Sequence, residues 1–94
     1  MVILQEIEDK LHLHSQWLKD NFSGKRLELN AAILIGIDLT KADLRYAVLS
    51  RCFLQVANLH GAILRGADLQ GANLQGADLE GANLENALNL PRIL

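Results

Sequence analysis

A leucine stands at every fifth position over more than half of the chain: Leu29, Leu34, Leu39, Leu44, Leu49, Leu54, Leu59, Leu64, Leu69, Leu74, Leu79 and Leu84. Two residues before each leucine is a small or apolar residue, alanine in nine cases and Leu27, Ile37 or Cys52 in the others. Directly before the leucine, Asp or Asn occurs seven times: Asp38, Asp43, Asn58, Asp68, Asn73, Asp78 and Asn83. Two residues after it, glycine occurs six times. A period of five fits neither regular element. On a helix, five residues advance about 500°, which scatters the leucines around every side. On a straight strand, an odd step sends successive leucines to opposite faces. All twelve share one interior only if the chain turns a corner once per repeat. Within a repeat the Ala and Leu positions are two apart and share a face, as a three-residue strand requires. The two remaining positions form the corner, where glycine tolerates the positive φ of a tight turn. The pattern therefore predicts a coil with Ala and Leu inside, and leaves open how many corners close one turn of it.

The segment before Leu27 follows a different period. Ile3, Leu4, Ile7, Leu11, His14, Leu18 and Phe22 fall within a stripe of about 100° on a helical wheel, with Trp17 at its edge. This predicts an amphipathic helix that stops near Asn21–Gly24, where glycine suits a left-handed cap. A coil end exposes unpaired backbone and open core, so the expected role of the helix is to cover it. A membrane-surface anchor is the weaker reading, since its two lysines are matched by acids. Past Leu84 the register fails, with Asn89 where the next central leucine would stand and Pro91 opposing a continued ladder.

The array from Leu27 to Asn86, sharpest in Ala67-Asp68-Leu69-Gln70-Gly71-Ala72-Asn73-Leu74-Gln75-Gly76, resembles the pentapeptide-repeat family. His14-Ser15-Gln16-Trp17-Leu18 followed by Gly24-Lys25-Arg26 is similar to leader segments before such arrays. The resemblance implies an all-β solenoid: a right-handed quadrilateral parallel β-helix with four repeats per coil, hence about three coils. With the N-terminal α-helical cap, the chain then divides into residues 1–26 (capping helix and linker), 27–86 (twelve repeats) and 87–94 (C-terminal cap or tail). The twelve leucines form the structural core. The family is common in cyanobacteria, and many of its members have no assigned role.

Composition narrows the function. Half of the residues are apolar but only 4% aromatic, and nine basic residues face eleven acidic ones. That balance offers no polycation, so no direct nucleic-acid binding is expected. No apolar run reaches the roughly 18 residues that span a membrane, and acidic residues near the N-terminus argue against an export signal. A cytoplasmic protein is expected. Cys52 replaces an inward alanine and reads as a buried, inert thiol. His12 and His14 diverge by about 200° on a helix and cannot share a metal ion. His14, on the apolar stripe, reads as a hydrogen-bonded packing residue, and His60 as a solvated corner residue. The Asp and Asn positions read as local partners of corner backbone rather than acid–base pairs. No catalytic, metal or cofactor-binding residue is identified, and no enzyme activity is expected.

The outward positions carry the functional expectation. Stacking positions four repeats apart puts Arg45 beside Arg65 and Glu85, and leaves Ile33, Ile35, Phe53 and Val56 at positions that are usually polar. That apolar patch is expected to lie under the helix or under a partner. Leu88, Leu90, Ile93 and Leu94 are a small lid for one end, which predicts a homodimer through the C-terminal coil. The leading expectation is a non-catalytic protein-interaction or scaffold module with an unknown protein partner. The alternative comes from the resemblance: some members are acidic duplex mimics that bind a DNA-processing enzyme such as gyrase. Seven acids against four bases within the array point that way, while Arg45, Arg51 and Arg65 interrupt the acidic surface.

Overall fold

A computed structural model describes residues 4–91. Helix α1 spans Leu4–Asp20, and two short strands follow, β1 at Glu28–Asn30 and β2 at Val48–Ser50. β1 and β2 pair in parallel, Leu29 opposite Leu49. Elsewhere each repeat contributes one bridge rather than a three-residue strand: Ile33 to Phe53 and Phe53 to Asn73, Asp38 to Asn58 and Asn58 to Asp78, Asp43 to Ile63 and Ile63 to Asn83, Val48 to Asp68 and Asp68 to Leu88. In every pair the partner stands four repeats further along the chain, so four repeats make one row of the stack. Strands stay this short because corner bonds intervene. The Leu34 carbonyl accepts from the Ile37 N–H at 3.1 Å, that of Leu39 from Ala42 at 3.0 Å, and the pattern recurs as far as Leu84 and Ala87.

The corner residue, two after each leucine, has positive φ in every repeat. Six corners are glycine; Ala31, Lys41, Tyr46, Arg51, Val56 and Asn86 hold the same left-handed conformation. The two inward positions of each repeat build the core. Leu44, Leu49, Leu54, Leu59, Leu64 and Leu69 are almost completely buried, with Ala47, Cys52, Ala57, Ala62 and Ala67 between them. Leu29, Leu34, Leu39 and Leu74 are also buried, whereas Leu79 and Leu84 are only partly so. Those two lie in the last row, where packing from a following row is thinnest, and still pack against the core. Pairing continues past Asn86. The Leu88 N–H donates to the Ala67 carbonyl at 2.7 Å, and Asn89 Nδ2 reaches Asp68 Oδ1 at 3.1 Å.

Helix α1 ends through its own side chains. Asn21, at φ 62°, donates both its N–H and its Nδ2 to the Trp17 carbonyl, and Asp20 Oδ1 accepts from the Phe22 and Ser23 N–H groups. Those two backbone bonds hold the Asp20 carboxyl below its ordinary range. Gly24 then passes so close to the helix that a Cβ would overlap the Leu13 carbonyl, which accepts from the Lys25 N–H. The chain is thereby folded back to start the array. Ile7 enters the core cluster, Leu11 packs against it, and His14 is fully buried. The apolar stripe is shorter than its wheel. Leu4 and Phe22 are exposed, Phe22 because it follows the helix end, and Ile3 lies outside the described residues. Among the described residues no helix is long and apolar enough to cross a membrane.

Candidate interaction surface

Each of the seven Asp and Asn residues preceding a central leucine does the same local work. Its Oδ1 accepts the backbone N–H two residues on: Thr40, Arg45, His60, Gln70, Gln75, Glu80 and Glu85, at 2.9–3.2 Å. This satisfies a donor that the turn leaves free. Asp38 gains a second bond, from the Thr40 hydroxyl at 2.6 Å, and the two hold its carboxyl below its ordinary range. Asp43 also meets the Arg45 guanidinium at 2.7 Å, which lowers its own pKa and raises that of Arg45. Arg45 therefore has its charge partner within its own repeat, not in the row above. Cys52 is fully buried with Sγ 3.7 Å from the Leu29 carbonyl, and burial pushes its thiol up, away from the reactive thiolate.

The array's outer face carries an apolar patch. Ile33, Ile35, Phe53 and Val56 keep 52%, 55%, 41% and 60% of their surface exposed, and Ile33 and Phe53 are bridge partners in adjacent rows. Helix α1 does not cover them, so one of the two expected covers is excluded. Gln55, between Phe53 and Val56 in position, is half-buried, with its Oε1 enclosed and lacking a hydrogen-bond partner among the described residues. The repeat's in–out alternation would point it to solvent. Leu88 and Leu90 are also exposed. Leu88 takes the outward position held by Glu28, Val48 and Asp68 in the rows before it. Ile93 and Leu94 lie outside the described residues.

The row spacing assembles one group whose members are far apart in sequence. His60, Asp78 and Glu80, all exposed, bring one ligand atom each to within 4.8 Å of one another. Glu80 stands four repeats beyond His60, so the stacking rule was the signal that could have found it. Asp78 already commits Oδ1 to the Glu80 N–H. At the other end, His14 Nδ1 accepts the Leu27 N–H at 2.9 Å, and its ring stacks on Trp17 at a centroid distance of 5.7 Å. His12 stays exposed on the helix, near Gln16, and does not join it.

With this geometry in view, the comparisons with known proteins are consistent. The family model for pentapeptide repeats matches residues 26–61 and 54–88, with eight copies. Among solved structures, the chain is similar to the pentapeptide repeat protein Rfr23 from the cyanobacterium Cyanothece 51142, with 45% identity and a TM-score of 0.66 over 68% of this chain. It is also similar to a pentapeptide repeat protein from the thylakoid lumen of Arabidopsis thaliana, with 34% identity and a TM-score of 0.63 over 65% of this chain. The matches cover 44% and 42% of those two proteins, so this chain corresponds to less than half of either. No curated protein matches it.

Proposed function

Because the chain belongs to the pentapeptide-repeat family, whose members form right-handed β-helices, we propose that it is a non-catalytic protein-interaction module. In this reading the four-repeat register closes into a four-sided solenoid of three coils, residues 27–46, 47–66 and 67–86, with α1 as the cap of coil one. A stiff stack of coils holds outward side chains at fixed spacing, which suits display to another protein. The observation that carries the proposal is the exposed patch of Ile33, Ile35, Phe53 and Val56, which stand in corresponding repeats of adjacent rows. Apolar groups gathered on one outer face favour a partner that removes them from water. The duplex-mimic alternative gains little from this surface, where Asp43 is engaged with Arg45 and Asp38, Asp68 and Asp78 each accept a corner N–H.

The test compares affinity capture by the wild-type chain with capture by Ile35→Glu and Val56→Glu. Both variants should keep the wild-type circular dichroism spectrum and lose the same specific partner. Capture of identical proteins by all three would overturn the assignment of the patch. The same reading includes self-association through Leu88 and Leu90. Sedimentation equilibrium should show a dimer that Leu90→Asp weakens, and a monomer at tens of micromolar would remove that part.

A further inference from the structure

We propose that His14 is a pH-sensitive latch between helix α1 and the first coil, and that its protonation releases the helix. Hydrogen-bond polarity fixes the protonation state of the ring. A backbone N–H can only donate, so the 2.9 Å contact from Leu27 N requires an unprotonated Nδ1 and puts the imidazole proton on Nε2. Adding the second proton places two donors face to face at that distance. It also charges a fully buried ring whose Nε2 makes no well-formed hydrogen bond among the described residues. Burying an unpaired cation is costly, and swinging the ring into water relieves it.

The surroundings do not rescue the charged form. Trp17, on the same helix, stacks on the ring; its other neighbour is the Arg26 guanidinium, 5.8 Å from the indole centroid. Arg26, from the linker, is paired with Glu28 at 3.0 Å. From the first coil, Arg45 adds a second positive charge, while Asp43 and the Arg45 backbone favour the imidazolium. Asp43 is itself held by Arg45. Desolvation prevails over these groups and sets the His14 pKa below its ordinary 6.5. The bond to Leu27 lies at the joint between helix and array, so losing it frees Ile7 and Leu11 from the core they pack on.

The sign follows from linkage. A base whose docked pKa is depressed favours docking fully above its undocked pKa, and that advantage falls as pH drops below about 6.5. One proton taken up on release weakens docking by up to about tenfold per pH unit. Amide hydrogen exchange on the full chain, corrected for intrinsic rates, reads this at pH 7.5, 6.5, 5.5 and 4.5. Protection of the α1 amides should be steady above 6.5 and fall up to about tenfold per unit below it, while Leu54, Leu59 and Leu64 keep theirs. His14→Gln retains an acceptor oxygen without a titrating proton and should flatten the α1 profile. If that variant fails to dock at any pH, imidazole NMR on the wild-type protein decides alone. His14 should be the Nε2–H tautomer and titrate below the ordinary 6.5. Flat α1 protection from pH 7.5 to 4.5, an equal loss in the second coil, or a His14 pKa at or above 6.5 would overturn the latch.

Discussion

Two corner glycines with the same backbone conformation should respond very differently to alanine. Gly36 and Gly66 both sit near φ +70°, at 71° and 68°. A left-handed alanine costs about 1–2 kcal/mol, offset by about 0.4–1 kcal/mol from the stiffer unfolded chain. Gly36→Ala meets no atom within 4 Å and should therefore lose only about 0.5–1 kcal/mol. At Gly66 the new Cβ would lie 2.6 Å from Tyr46 Cδ1 and 2.7 Å from Cε1, in the ring of the corner residue one row earlier. A ring is rigid, so it must leave its place. Tyr46 is about half exposed. Roughly 100 Å² of ring contact is then at stake, about 2.5 kcal/mol at most and about 1–2 kcal/mol if the ring partly repacks. Gly66→Ala should consequently cost about 1–2.5 kcal/mol more than Gly36→Ala. Urea unfolding followed by circular dichroism, on both variants and on Gly66→Ala combined with Tyr46→Ala, measures it. In the Tyr46→Ala background the Gly66 penalty should shrink to that of Gly36. Equal midpoints for Gly36→Ala and Gly66→Ala would refute the idea that corner glycines make room for the preceding row.

Leu54→Ala, which empties a fully buried position between rows, should lower stability by about 2–5 kcal/mol in urea, while Gln55→Ala should be neutral or slightly stabilising because it removes an enclosed, unpartnered Oε1. Val56 holds φ 51°, a costly conformation for a β-branched residue; Val56→Asn should raise the urea midpoint or leave it unchanged, and a loss beyond about 1 kcal/mol would mean that the packing of its side chain outweighs the strain. The Asp43 pKa is held below 3.8 by Arg45, so its stabilisation is complete above that value and is lost as pH falls through the lowered pKa; Asp43→Asn should narrow the gap between urea midpoints measured at pH 5 and pH 3. Cys52 should react with a thiol reagent only at the rate of unfolding, and rapid labelling in native buffer would contradict its burial.

Positions under the tightest steric demand are the most legible in the sequence. An inward leucine must recur wherever the interior recurs, and an Asp or Asn before it marks a donor that the corner leaves free; both are written once per repeat. The family resemblance supplies the rest of the plan, since a five-residue period does not specify how many repeats make a row. Less legible are features that depend on neighbours in space. The corner at Val56 or Tyr46 carries no glycine, yet adopts the same backbone because its neighbours before and behind are already turned. Leu4 and Phe22 belong to the helical stripe by angle, but the part of the helix that docks is limited by the coil beneath it. Likewise His60 reads as a solitary corner histidine until the row spacing brings Asp78 and Glu80 beside it. The apolar patch is readable as four residues of unexpected type, whereas its exposure depends on where α1 comes to rest.

The constant offset of four repeats between paired positions also makes the chain a reading frame in three dimensions. Inserting one residue within the array would turn every later leucine outward unless the extra residue bulged out at a corner. Inserting a single repeat between Ile33 and Phe53 would keep all leucines inward, yet shift everything downstream by one repeat against the row before it, so that Phe53 no longer stood beside Ile33 and the patch was divided. Only an insertion of four repeats, a whole row, would leave both the interior and each outer face continuous, separating residues along the stack without changing the side on which they stand. Length can therefore vary by rows at little structural cost, whereas the composition of a face is protected against any smaller change in length.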